Sequence, residues 1–376
     1  MPSVAGKTGR GESTNWAFAL PYRPYAPQFR ADRPLAFAVV RRTVAGIGRT
    51  LITLGLLILL FVGYQLWGTD IFTARAQTKL QHQLTTLLGT VHDTTTTTTK
   101  PTTSTTGKDP PTTAAPATLR LPPIKEGDPL GRIRIPAAGV DKIFVQGTAR
   151  DDLAKGPGHY PSTPLPGQVG NAAIAGHRTT HGAPFYNIDR LRARTASTPG
   201  DYIVVDSLIG THVFEVIEQR IVKPDDTWVA GPMTLPQQQL NRVSLRLSPN
   251  KSYLTLTSCN PRYSARERIV ILAELIDNRN KARGVPNSDR AIGVVKFPGE
   301  QTKPDAKALQ EGLDGDVGSR GPALLTGILA LLVGLVWWWA FRRYRHPVTW
   351  FTGVVPFLLV LFVFYVYLER MLPANY

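Results

Sequence analysis

The chain has 376 residues, 43 lysines and arginines against 27 aspartates and glutamates, a formal net charge of +16 and a single cysteine. One cysteine excludes an intrachain disulfide framework and a cysteine-based zinc site, and the apolar residues gather into three runs that a soluble enzyme would not display. The basic residues flank those runs without forming a basic-aromatic ladder, so they point to membrane orientation and anionic membrane lipid, with no nucleic-acid partner.

In chain order, residues 1–49 form a basic segment containing Arg30, Arg33, Arg41, Arg42 and Arg49. Residues 50–69, TLITLGLLILLFVGYQLWGT, carry no formal charge before Asp70. About 20 apolar residues in helix match the hydrocarbon thickness of a bilayer. Tyr64 and Trp67 stand at the far end, where amphipathic rings favour the interface. The long basic lead argues for a retained span rather than a cleaved signal peptide. Residues 70–118 read as a stalk and linker. Leu80, Leu84, Leu87 and Leu88 have helical spacing, and Thr94 to Thr99 with Pro101, Pro110, Pro111 and Pro116 follow. That second stretch has too little apolar surface to fold. It predicts an extended spacer holding the next domain away from the bilayer.

Residues 119–277 are the folded part. RIRIP (Arg132 to Pro136), KIFVQG, NAAIAG, DYIVVDS, THVFEVIEQRIV, SYLTLTS and RIVILAEL are strand-like and separated by Gly/Pro-rich turns. Helical turns are expected around Asp151 to Lys155 and Pro184 to Leu191. Many short strands with few helices give an all-β barrel or sandwich. A polar linker, 278–320, precedes a second span at 321–341, a basic loop at 342–346 (Arg342, Arg343, Arg345), a third span at 347–368 and a tail at 369–376. Pro356 is expected to kink the third helix without ending it. Both basic clusters belong on the cytoplasmic side. The chain therefore reads as a multi-pass cell-membrane protein with its folded domain extracytoplasmic.

Three residues invite a chemical reading. Cys259 ends the strand-like run Tyr253 to Cys259, and Asn260-Pro261 breaks the strand after it. Alone, it reads equally as a small buried hydrophobe. His177 likewise closes the apolar run Asn171 to Gly176, and a thiol needs a nearby base or cation to become a nucleophile. Arg262, Arg266 and Arg268 follow the cysteine, and a hairpin would bring Arg268 back beside it. A guanidinium there would stabilise charge developing on a carbonyl oxygen. His181, four residues past His177, could line the cleft but is read first as a surface-loop residue. Tyr160 is read either as a packed loop aromatic or as a contact for substrate. No acidic cluster has the character of a calcium site, and neither metal nor cofactor is expected.

GHR at Gly176 to Arg178, TLTSC at Thr255 to Cys259 and Arg268 nine residues on resemble a sortase, a cell-wall cysteine transpeptidase. GRIRIPAAGVDKIFVQG (131–147) and GPGHYPSTPLPGQVGNAAIAGHR (156–178) look most like the class E branch of actinobacteria. The resemblance covers about Gly131 to Leu275. It implies a closed sortase-type β-barrel of about eight strands with short helices, here flanked by three transmembrane helices. It makes His177, Cys259 and Arg268 catalytic, with Thr257, Ser258 and Tyr160 toward the substrate. It also implies secreted proteins bearing a C-terminal Leu-Ala-x-Thr-Gly or Leu-Pro-x-Thr-Gly-like sorting signal, cleaved at Thr-Gly through a thioacyl intermediate, and a peptidoglycan precursor amine as acceptor. Ser258 departs from the family's usual threonine before the cysteine. The pair of C-terminal spans departs from housekeeping members and keeps a pilin-polymerising role open, beside a hydrolytic cysteine protease and an inactive wall-binding module.

Overall fold

The computed structural model describes residues 35–96, 123–224, 248, 250–276, 289–290, 292, 316–344 and 347–372. The spacer expected through the threonine run lies outside these residues from 97 onward, as do most of the linker after 277 and the last four residues of the tail. The chain divides into two compact units, Met1–Leu56 and Leu57–Tyr376. In the first, the described residues are helical, the opening part of α1 (Leu35–Gly63). Val44, Ile47, Leu51 and Ile52 are exposed there, an apolar surface of the kind that a bilayer or a partner covers.

In the second unit α1 passes through a π-turn, Tyr64–Gly68, into α2 (Thr69–Thr96). Gly68 permits that turn, because a Cβ would meet the Tyr64 ring at 2.7 Å. Among the described residues three helices are long and apolar enough to cross a membrane: Val39–Gly89, Val317–Tyr344 and Trp350–Met371. The first runs 51 residues, more than twice the roughly 20 that a bilayer needs. Its second half has another partner. Leu80 and Leu84 of α2 are buried in the same apolar cluster as Ile133, Ile143 and Phe144 of the folded domain. Gln77 receives the Ile143 amide and donates to the carbonyls of Ile143 and Lys155. The leucine spacing that predicts a helical stalk thus produces a helix that continues from the first and packs on the folded domain. A buried apolar stripe has no stable free-standing alternative.

The domain is a closed barrel of eight strands in the order β1-β2-β3-β4-β7-β8-β6-β5. The strands are β1 (Pro129–Ile135), β2 (Val140–Gln146), β3 (Gly158–His159), β4 (Gly170–Ala175), β5 (Tyr202–Ser207), β6 (Gly210–Val222), β7 (Ser252–Asn260) and β8 (Glu267–Leu275). Most neighbours are antiparallel, but β2–β3 and β4–β7 run parallel. Closure leaves no free edge to pair with another chain. The expected helical turns appear as α3 (Arg150–Leu153) and a 3-10 turn, Ile188–Arg190. Alternation sorts the side chains. Ile133, Ile174, Leu254, Leu256, Ile269 and Ile271 fill the interior with Phe144, Phe185 and Phe214. Residues one step out of phase, such as Ala173, Ala175 and Val270, lie on the other face under Tyr160.

The chain returns through α4 (Arg320–Tyr344) and α5 (Pro347–Met371), which pack as a hairpin. Glycines admit rings between them: Gly353 faces Trp337, and a Cβ at Gly327 would meet Phe364 at 2.9 Å. The helix of α5 continues through Pro356, which does not end it. Tyr64, Leu361 and Tyr365 form a separate apolar cluster joining the π-turn to α5.

Candidate active site

Strand parity decides which side chains share the outer face. On β7, Leu254 and Leu256 point inward, so Thr255, Thr257 and Cys259 share the opposite face. β8 pairs with β7 so that Thr257 faces Val270 and Cys259 faces Arg268. Directly opposed residues hold their Cβ atoms about 5 Å apart. On the other side, β4 runs parallel with Ala173 opposite Thr255 and Ala175 opposite Thr257. The chain leaves β4 after Ala175, and His177 follows two residues on. β7 and β8 thus set Cys259 and Arg268 at one level of one face, beside the strand that ends just before His177. Arg266 is exposed on the turn before β8. Arg262 pairs with Asp189 at 3.0 Å and lies over the Tyr186 ring at 4.3 Å. Register therefore distinguishes Arg268 from the other two arginines.

Several bonds fix the ends of these strands. The Gly176 amide donates to Thr257 O at 3.1 Å, and the Ser258 hydroxyl donates to Gly176 O at 2.7 Å. Position 176 must be glycine, because a Cβ would stand 2.6 Å from the Phe185 ring that closes the barrel beneath it. Arg178, buried, donates from Nε to Tyr186 O at 2.9 Å, from Nη1 to Cys259 O at 3.2 Å, and pairs through Nη2 with Asp189 at 3.0 Å. One guanidinium therefore ties the residue after His177 to the backbone of Cys259. The sequence carried a signal for this in the GHR triplet, but assigned Arg178 no role. Arg268 is buried, and its Nη1 donates to the carbonyls of Ala265 and Glu267 at 3.1 and 3.2 Å. Cys259 is partly exposed, as attack on an incoming carbonyl requires.

Thr257, Ser258 and Tyr160 are buried. The Tyr160 and Thr257 hydroxyls bond to each other at 3.0 Å, and Ser258 is engaged as described. All three thus support the strands that carry the site. His181 is not on an open surface loop, as expected from sequence. Its ring lies 4.9 Å from that of His177, and its Nε2 is 3.1 Å from Glu369 Oε1 on α5. No local pattern shows a contact spanning 188 positions. Burial, then the neighbouring His181 and Arg150, push His177 well below the ordinary histidine value, so it is uncharged at neutral pH.

Residues 133–276 match the family model described as the sortase domain. The chain's curated relatives include sortases SrtE1 and SrtE2 of Streptomyces coelicolor. The chain is 29% identical over 263 residues to sortase SrtE1 of Streptomyces coelicolor, covering 69% of this chain and 64% of that protein. It is 29% identical over 136 residues to sortase D of Bacillus subtilis, covering 36% of this chain and 56% of that one. The chain thus spans less than two thirds of each of these relatives. Among solved structures, Streptomyces coelicolor sortase E1 with a tripeptide in its active site is 27% identical, with 43% of this chain and 95% of that chain covered and a TM-score of 0.34. Clostridium perfringens sortase C with a C-terminal cell wall sorting motif is 28% identical, with 41% and 74% covered and a TM-score of 0.32.

Proposed function

We propose that this protein is a membrane-anchored cysteine transpeptidase that cuts a C-terminal sorting signal between Thr and Gly and passes the protein to a cell-wall amine. The observation that supports the reading is the register that sets Arg268 opposite Cys259 on β7 and β8, with the strand that ends just before His177 running alongside β7. As Cys259 Sγ attacks the Thr carbonyl carbon, uncharged His177 takes the thiol proton. The tetrahedral intermediate collapses, the C–N bond breaks, and His177 returns the proton to the leaving glycine amine. The thioester then waits for an acceptor. An incoming amine gives a proton to His177, its nitrogen bonds to the carbonyl carbon, the C–S bond breaks, and the sulfur recovers the proton. The Arg268 guanidinium, opposite the sulfur in register, stabilises the carbonyl oxygen in both steps.

The proposed layout places the basic segments 1–49 and 342–346 in the cytoplasm, spans within 50–69, 321–341 and 347–368, and the sortase domain, 119–277, outside. The signal is of the Leu-Ala-x-Thr-Gly or Leu-Pro-x-Thr-Gly type and the acceptor is a peptidoglycan precursor amine. Purified full-length chain, a labelled sorting peptide and a small amine test the reaction. Amine-dependent ligation is the expected result. Hydrolysis indifferent to amine would make the protein a protease, and no turnover by the folded chain would make it a wall-binding module.

A further inference from the structure

The last turn of α5 ends against the loop that follows His177. Glu369 is largely buried there, its side chain 15% exposed. Its Oε1 accepts from His181 Nε2–H at 3.1 Å, and its Oε2 accepts from the Tyr64 hydroxyl at 3.1 Å. The His181 ring in turn lies against His177, whose Nε2 is buried without a hydrogen-bond partner among the described residues. An acidic side chain is costly to keep at the end of an apolar helix, and such groups mark working sites more often than anchors.

The surroundings hold this contact rigidly. His181, Gly182 and Ala183 all have left-handed backbone, with φ of 53°, 71° and 38°. Two of the three are not glycine, so the turn persists only because its neighbours impose it. The Gly182 amide donates to Asp70 Oδ1 at 2.8 Å and the His181 amide to Thr69 Oγ1 at 3.3 Å. Arg150 of α3 reaches over the end of α5 and donates to the carbonyls of Arg370 and Leu372 at 2.8 Å each, and to that of Glu369. A cation is the favoured group at a helix C-terminus, where carbonyls lack partners. The charged and titratable groups around the cluster are therefore His181 and Arg150 beside His177; His177 and Glu369 beside His181, with Asp70 and Lys142 near its turn; and His181, Tyr64 and Arg150 beside Glu369.

We propose that Glu369 is a positioning residue of the active site: by accepting the Nε2 proton of His181 it fixes the ring that backs His177, so the C-terminal helix pair completes the catalytic centre. This rests on His177 being the acid–base group. The test uses the full chain in lipid nanodiscs, with Glu369→Gln, Glu369→Ala, His181→Gln and Tyr64→Phe. Two readouts are taken: peptide transfer to an amine, and the pH dependence of Cys259 alkylation by iodoacetamide, which needs no peptide. Misplacing a reacting group slightly costs roughly tenfold to a hundredfold in turnover. Glu369→Ala and His181→Gln are expected to lower kcat by about that factor and leave KM within about twofold. Glu369→Gln, which keeps an acceptor oxygen, is expected to fall between them and wild type. The acid limb of both profiles is expected to move up toward the ordinary histidine value, because His181→Gln removes a ring that lowers His177 and Glu369→Ala frees that ring to move away from it. Unchanged kcat and an unmoved alkylation limb in Glu369→Ala and His181→Gln would overturn the proposal. If Glu369→Ala does not fold, Glu369→Gln and His181→Gln decide. Tyr64→Phe removes the other bond to the same carboxylate, and an equal loss there would reduce Glu369 to an anchor. A wild-type chain that alkylates with an acid limb but transfers nothing would overturn the transpeptidase reading, and the alkylation midpoint alone would then decide this one.

Discussion

Ser258 stands beside the nucleophile with a job that its hydroxyl alone explains. The bond from Ser258 Oγ to Gly176 O couples the end of β7 to the end of β4, and so Cys259 to His177. Ser258→Thr keeps that bond and is expected to leave turnover within about threefold. Ser258→Ala leaves a buried carbonyl short of a partner at a cost of about 1–3 kcal/mol, and its kcat should fall with KM little changed. Arg178→Ala should be more damaging than Arg262→Ala, although both arginines bind Asp189. Arg178 also holds the Cys259 carbonyl from a buried position, whereas Arg262 lies over Tyr186. Steady-state kinetics of the two variants separates them. Histidine burial sets the pH response. His159 is buried between Gln146 and Pro164, and desolvation pulls its pKa to about 4. The unfolded chain binds that proton near the ordinary histidine value and the folded chain does not. Stability is therefore complete at neutral pH and declines as pH falls through that interval, by on the order of 3 kcal/mol. The thermal midpoint should drop over that range, and less so in His159→Gln. A midpoint indifferent to pH there would contradict the assignment.

At the scale of elements, the strand that presents the nucleophile was legible because alternation in SYLTLTSCN is clean and Asn-Pro ends it. The pairing of β7 with β8 was legible too, since their short connection makes a hairpin the natural outcome. The parallel neighbourhood of β4 and β7 was not. Seventy-six residues separate the end of β4 from the start of β7, and no local signal specifies a partner at that distance. The resemblance to a known family, not the strand pattern, joined His177 to Cys259. The partner of α2 was not legible for a related reason. Its leucine stripe announces a partner without naming it, and the barrel proves to be that partner. Leu84→Ala should destabilise the full chain by about 2–5 kcal/mol, because it removes a side chain from the core cluster. A truly free stalk would tolerate it, and denaturant midpoints of the two chains decide.

At the scale of the molecule, the helices and the barrel of the second unit form one working arrangement. α2 lies on the barrel through Leu80, Leu84 and Gln77, and the end of α5 is clamped by Arg150 and by the His181–Glu369 contact. The apolar runs were plain from composition, since about 20 uncharged residues in helix have few other uses. That two of them end against the loop beside His177 was invisible, because those contacts join residues far apart in sequence through single polar pairs. The account as a whole turns on one bond, a thioester between the Cys259 sulfur and the threonine carbonyl of a sorting peptide. Acid quenching of the full-length chain with a labelled Leu-Ala-x-Thr-Gly peptide in the absence of amine, followed by mass spectrometry of the tryptic peptide spanning residue 259, measures it directly. The account predicts an adduct of the mass of the acyl portion ending in threonine, absent in Cys259→Ala and discharged when amine is added. A folded chain that ligates peptide to amine with no such adduct, or with full activity in Cys259→Ala, would contradict it.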